Sequence, residues 1–342
     1  MSASVPPRAF ITGCAGTRLS VEEEAFLLDT APWGLILFRR NIETPAQVAD
    51  LVRAFRARVG RPDAPVLIDQ EGGRVQRLGP PHWPVYPPAS VFADLAEREG
   101  AARGAEAARL GARLMAQDLA ALGINVDCVP CADLRLPEGH GIIGDRAYGD
   151  TPEQVAALAR AAAEGLIAGG VLPVLKHIPG HGRARADSHE SLPVVETSRA
   201  ELEATDFAPF RLLADLPLAM TAHVVYAAID PEHPATTSTR VIEEVIRGHI
   251  GFDGALMSDD LSMGALAGSL ASRAQAAFAA GCDLALHCNG RLEEMRDVAA
   301  HSPRLDGDAA RRCAAALACL APVASLELAQ ARARFSDMIA PS

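Results

Sequence analysis

Eight short apolar runs recur along this chain, separated by longer stretches of helical character, and that alternation constrains its fold more than any single motif. The runs are 8–14, 34–39, 65–69, 125–130, 170–176, 216–223, 254–258 and 282–287. They are almost continuously apolar, as strands buried on both faces of a parallel sheet must be. Between them, Ser20 with Glu23, Thr44 with Pro45 and Gln47, Thr151 with Pro152 and Gln154, and Ser198 with Glu201 each place an N-cap and a capping partner three residues on. Eight strand–helix units in 342 residues predict a (β/α)8 barrel of the α/β class. An open doubly wound sheet is the alternative, but Gly13-Cys14-Ala15-Gly16 lacks the spacing of a dinucleotide-binding turn. No linker or internal repeat divides the chain, so one domain is expected over residues 1–342, with its core at about 8–300 and a helical tail. The segment 89–123 reads as a helical pair or one extended helix interrupted at Gly100 or Gly104, and 326–335 as a terminal helix.

A parallel barrel puts its chemistry at the C-terminal ends of its strands. After the third run comes Asp69-Gln70-Glu71-Gly72-Gly73-Arg74-Val75-Gln76-Arg77, and before the fifth lies Gly141-Ile142-Ile143-Gly144-Asp145-Arg146. The fifth leads into Lys176-His177-Ile178-Pro179-Gly180-His181-Gly182 and, four residues later, Asp187-Ser188-His189. The sixth ends in Thr221-Ala222-His223 and the seventh in Ser258-Asp259-Asp260-Leu261-Ser262-Met263. That is more titratable chemistry than loops need for folding.

His177 and His181 are spaced as in helical zinc motifs, but Pro179 and Gly180 between them remove the helix that would set both rings on one face. Proton transfer fits better. Asp187, two residues before His189, is placed to orient that imidazole and raise its basicity, and histidine exchanges protons near neutrality. Asp259 stands where a strand delivers a carboxylate to the mouth, whereas Asp260 or Ser262 is free to cap the next helix. A carboxylate opposite a proton donor is the arrangement of a retaining glycosidase. An imidazole suits the donor role, because two carboxylates about 5 Å apart would oppose each other's ionisation. Gly180 and Gly182 suggest that the loop carrying His189 moves over bound substrate.

Composition narrows the field. Asp plus Glu total 43 against 32 Lys plus Arg, a net charge of −11 without basic runs, which argues against nucleic acid and anionic membranes as partners. The amino-terminal residues lack a secretion signal, and no apolar run is long enough to span a bilayer, so a cytoplasmic location is expected. Seven cysteines, mostly within apolar runs, suit reduced, packed thiols, Cys128-Val129-Pro130-Cys131 included.

Three of these stretches together, 69–77, 176–182 with Asp187-Ser188-His189, and Ser258 to Met263, resemble glycoside hydrolase family 3, specifically its single-domain bacterial β-N-acetylglucosaminidases of peptidoglycan recycling. Thr221-Ala222-His223 and Pro234-Ala235-Thr236 fit the same pattern, and the likeness runs over roughly residues 8–300. It implies Asp259 as nucleophile, His189 as general acid and base, and Asp187 as its partner. It further implies that Asp69, Arg77, Arg146, Lys176 and His177 grip a terminal N-acetylglucosamine. The implied substrate is a muropeptide fragment carrying anhydro-N-acetylmuramic acid, cleaved in the cytoplasm without a cofactor; beside the resemblance, no metal and a monomer are expected. Ile178 stands where the family usually has an aromatic residue, and 183–186 is particular to this chain. The rival readings are a phosphorylase on the same scaffold, a catalytically silent sugar-binding protein and a metal-dependent hydrolase.

Overall fold

A computed structural model of the chain describes residues 5–137, 139, 141–188, 191–320, 323 and 325–340. All eight apolar runs carry strands: β1 (Arg8–Thr12), β2 (Pro32–Leu37), β3 (Val66–Ile68), β4 (Val126–Asp127), β5 (Leu172–Ile178), β6 (Leu218–Thr221), β7 (Ala255–Asp260) and β8 (Leu284–His287). They close into a barrel in chain order, every adjacent pair parallel, with β8 returning to β1 through Phe10↔Ala285 and Ile11↔Leu286. The (β/α)8 expectation holds.

The four caps read from the sequence are all made. Ser20, Thr44, Thr151 and Ser198 accept the backbone N–H of Glu23, Gln47, Gln154 and Glu201, and Glu23 completes a capping box. They start α1 (Val21–Thr30), α2 (Pro45–Val59), α5 (Pro152–Ala168) and α6 (Arg199–Ala204). The segment 89–123 is a pair, α3 (Ser90–Glu99) and α4 (Ala101–Ala120), broken at Gly100 with φ +100°; Gly104 lies inside α4. Helices α7 (Ala208–Leu212), α8 (Leu270–Ala280) and α9 (Leu292–Ala300) follow, and the tail helix, α11, runs Leu328–Ile339.

Side-chain parity along the strands decides what reaches the mouth. Ala9 and Ile11, Ile36, Leu67, Leu172 and Val174, Leu218 and Met220, Ala255 and Met257, and Leu284 and Leu286 share one buried cluster inside the barrel. The residues between them, among them Phe10, Leu35, Leu37, Val66, Ile68, Leu175, Ala219, Leu256 and Ala285, belong to the layer beneath the helices. Two residues on from the interior column stand Phe38, Asp69, Lys176, Asp259 and Cys288, all of which line the cavity at the strand ends. Helix α10 (Gly307–Ala318) adds Cys313 and Ala316 to the interior cluster, while Leu305 just before it donates its N–H to Pro7 at the opposite end. One end is thus plugged, and the other is open for chemistry.

All seven cysteines are free thiols, six of them buried. Among the described residues no helix is long and apolar enough to cross a membrane.

Candidate active site

The cavity at the open end holds about 450 Å³ and is lined by side chains from the stretches 69–77, 141–146, 176–188 and 258–263, whereas Thr221-Ala222-His223 is not part of that lining. Asp69, Arg77, Arg146, Lys176, His177 and Asp259 all face it. Three cations and two carboxylates form its floor. Lys176 Nζ lies 2.8 Å from Asp69 Oδ1 and 2.6 Å from Glu71 Oε1. Arg146 holds Glu71 through two bonds of 2.8 Å, and Arg77 donates to Asp69 Oδ2 at 3.1 Å.

Burial alone would raise the pKa values of both carboxylates, but neighbouring cations overcome it. Lys176 and Arg77 hold Asp69 well below the usual carboxylate range, and Arg146 with Lys176 holds Glu71 at about 2. Burial likewise opposes the Lys176 charge, yet Asp69 and Glu71 push its pKa well up. The cluster is therefore charged throughout the neutral range, with donors fixed by charge-assisted bonds. Arg77 Nε is buried without a hydrogen-bond partner among the described residues.

The hairpin Gln70–Gly72/Val75–Gln76 delivers Glu71, Arg74 and Arg77. Gln70 Oε1 accepts the backbone N–H groups of Arg77 and Leu78, and Gln76 bonds the backbone of Leu78, Pro84 and Tyr86. Gly72 has φ +91°, and a Cβ there would sit 2.2 Å from the Pro87 carbonyl oxygen, so only glycine fits. Arg74 reaches across to bond Asp145 Oδ1 and the carbonyls of Gly141, Ile142 and Ile143, clasping the segment that presents Arg146.

On the far wall, His177 Nδ1 shares a 2.6 Å hydrogen bond with Asp133 Oδ2, while Asp133 Oδ1 accepts the backbone N–H of His181 at 2.6 Å. Burial would raise the Asp133 carboxyl, but His177 outweighs it and holds the group at about 2. His181 Nε2 meets Ser188 Oγ at 3.1 Å; burial and the adjacent His177 push this imidazole down to about 4. The chain here leaves β5 through Pro179 and Gly180, so no helix joins the two histidines. Gly180 and Gly182 are buried, and a Cβ on them would fall 2.8 Å from the Asp206 carbonyl oxygen and 2.5 Å from that of Leu134. Close backbone packing therefore requires both glycines.

Asp259 and Asp260 divide the work at the end of β7. Asp260 Oδ1 accepts the N–H groups of Ser262 and Cys288, and its Oδ2 accepts the Ser262 hydroxyl, which commits it to holding the turn. Asp259 continues the interior column into the cavity; its N–H donates to Thr221 Oγ1 at 3.3 Å, and its Oδ1 accepts the Asp260 N–H at 2.7 Å. Asp187 is half-buried and adjoins Ser188, whose side chain lines the cavity. His189 lies outside the described residues.

Glu71 and Asp133 are not among the site residues that sequence reasoning picks out. Glu71 stands next to glycines that read as a turn, and Asp133 lies 44 residues before its partner His177. One group of potential metal ligands occurs among the described residues: Cys131, Asp133 and His177, with ligand atoms within 4.8 Å of one another. The Asp133–His177 bond and a 3.3 Å contact from Cys131 Sγ to the same Asp133 oxygen draw these atoms together. Burial also pushes the Cys131 thiol well up, so the group is a hydrogen-bonded knot.

A parallel barrel with a deep, charge-lined pocket at its C-terminal mouth, and a strand-end carboxylate facing into it, has the architecture of an enzyme for a small polar substrate. The chain belongs to glycosyl hydrolase family 3: residues 10–307 match the family's N-terminal domain. It is a glycoside hydrolase. A β-hexosaminidase of Alkalilimnicola ehrlichii is 44% identical over 301 residues, 86% of this chain and 84% of that one. A family 3 β-N-acetylglucosaminidase from Paenibacillus sp. str. FPU-7 superposes with a TM-score of 0.85 at 31% identity, covering 96% of this chain and 67% of that one. NagZ from Neisseria gonorrhoeae, solved in complex with N-trifluoroacetyl-D-glucosamine, gives a TM-score of 0.82 at 34% identity over 98% and 99% of the two chains.

Proposed function

We propose that this β-hexosaminidase-like enzyme is a retaining exo-β-N-acetylglucosaminidase that releases terminal β-linked N-acetylglucosamine from anhydro-muropeptides during cytoplasmic peptidoglycan recycling. The observation that carries the reading is the convergence of Asp259 with the Asp69–Lys176–Glu71–Arg146 cluster in one cavity of about 450 Å³, room for a terminal sugar. In the first step an Asp259 oxygen attacks the anomeric carbon, the glycosidic C–O bond breaks, and His189 protonates the departing oxygen. In the second, His189 takes a proton from water as that water displaces Asp259, restoring the β configuration. Asp187 orients the His189 ring. Asp69, Arg77, Arg146, Lys176 and His177 hold the sugar hydroxyls and the amide, and Glu71 keeps two of those cations in place.

Release of nitrophenol from the N-acetyl-β-glucosaminide and from the plain β-glucoside tests this, using wild type and Asp259→Asn in phosphate-free buffer. The expected result is activity on the first substrate only, reduced on the order of 10³-fold or more in the variant. Strict dependence on added phosphate would instead establish a phosphorylase, and inactivity of folded protein on both substrates a binding protein.

A further inference from the structure

We propose that the C-terminal helix α11 braces the sugar-binding side of the cavity, with Phe335 and Arg332 as positioning residues for the two segments that carry Glu71 and Arg77 on one side and Arg146 on the other. The inference rests on the assignment of Arg77 and Arg146 to sugar binding. Helix α11 lies beyond the family 3 match, which ends at residue 307, and it contributes nothing to the cavity lining itself. Its buried residues Ala331, Phe335 and Met338 fall on one face.

Phe335 is the junction of two aromatic chains. Its ring sits in a notch on α4 left by Gly111, where a Cβ would lie 2.8 Å from the ring edge. On one side it meets Tyr86, with ring centroids 6.4 Å apart. The Tyr86 carbonyl accepts the N–H of Gly73 at 2.9 Å, and its own N–H donates to Gln76 Oε1 at 2.9 Å, so Tyr86 is bonded to the turn and to the second strand of the hairpin bearing Glu71 and leading to Arg77. On the other side Phe335 meets Phe92 at 6.3 Å, and Phe92 stacks on Tyr148 at 6.4 Å with planes 13° apart. Tyr148 is two residues from Arg146, and Glu71 and Arg146 are the partners of the bidentate pair in the cavity floor. A polar strap runs alongside: the Tyr86 hydroxyl donates to Asp118 Oδ2 at 2.7 Å, and Arg332 donates to Asp118 Oδ1 at 2.7 Å. One helix thus holds both halves of an ion pair whose members come from separate loops, and sugar contacts are sensitive to displacements well under an ångström.

The test is steady-state kinetics of Phe335→Ala, Phe335→Leu and Arg332→Ala on the nitrophenyl N-acetyl-β-glucosaminide, with the inhibition constant of N-acetylglucosamine and the melting temperature measured alongside. Phe335→Ala is expected to raise KM and the inhibition constant roughly tenfold while kcat stays within about threefold, with Phe335→Leu and Arg332→Ala intermediate. In an Arg146→Ala background the Phe335→Ala effect on KM is expected to shrink to the part carried through Tyr86 and Arg77, because one of the groups it positions is gone. A lowered melting temperature with unchanged KM in all three variants would make α11 a stabilising element only and overturn the brace. If Phe335→Ala does not fold, Arg332→Ala and Phe335→Leu decide by the same comparison. If Arg77→Ala and Arg146→Ala themselves leave KM unchanged, the sugar-binding assignment fails, and the brace with it; if they raise KM and the α11 variants do not, the brace alone fails.

Discussion

Glu71 binds Arg146 twice and Lys176 once, and all of these charges are withdrawn from bulk water. Removing one member of such a network leaves the others buried and uncompensated, so Glu71→Gln is expected to raise KM at least tenfold with a smaller effect on kcat, measured on the aryl N-acetyl-β-glucosaminide. His189→Gly tests the acid/base assignment in a different coordinate. Glycosylation by substrates whose leaving groups need no proton is expected to survive, whereas natural glycosides are lost and hydrolysis of the intermediate slows; equal loss on both substrate types would remove His189 from the role. Asp69, Arg77, Arg146, Lys176 and Asp259 were legible as residues of the cavity lining because each stands at a strand end or in a loop where the barrel collects its chemistry. Glu71 and Asp133 were not, since their significance lies in contacts to residues 75 and 44 positions away.

At the scale of elements, local signals carried most of the fold. Apolar runs of strand length located all eight strands, and four cap residues located the starts of four helices. Sequence left open whether 89–123 is one helix or two, because Gly100 and Gly104 look alike there. Their packing differs: Gly100 has open space and φ +100°, whereas a Cβ on Gly104 would meet Ala96 Cβ at 2.6 Å. The same logic governs α4 against α5. By propensity alone, Gly165→Ala inside α5 gains up to about 1 kcal/mol. A Cβ at Gly165, however, would lie 2.2 Å from the Arg109 carbonyl oxygen and 3.0 Å from Ala112 Cβ, so the helices must part. Overpacking against backbone costs about 1–3 kcal/mol, and the packing term wins. Gly165→Ala is expected to lower the urea midpoint; a raised midpoint would mean that α4 and α5 yield without cost.

The whole molecule titrates through these same buried groups. An unfolded chain has carboxylates near 4 and histidines near 6.5. In the fold, burial and His177 hold His181 at about 4, and burial depresses His223, which bonds Thr236 and the Asp260 carbonyl. Between pH 6.5 and 4 the unfolded state therefore binds protons at these two histidines that the folded state refuses, while burial raises the Asp127 and Asp206 carboxyls and acts with the opposite sign. The histidine contribution to stability is complete above that window and falls as pH drops through it, by up to about 3 kcal/mol for His181 alone at 1.36 kcal/mol per unit. Glu71 and Asp133, both held at about 2 by their cationic or imidazole partners, begin to cost stability only as pH falls below about 4. Acid unfolding is thus expected in two stages with different owners. His181→Gln retains a hydrogen-bonding group toward Ser188 but cannot titrate, so it is expected to flatten the slope of stability between pH 6.5 and 4.5, leaving the part due to His223, without moving the collapse below pH 4. Urea midpoints followed by circular dichroism at pH 7.5, 6.5, 5.5 and 4.5 measure that slope directly. An unchanged slope in His181→Gln would assign the first stage to other histidines, and a shifted low-pH collapse would mean that His181 and Asp133 titrate as one unit through their 2.6 Å backbone contact.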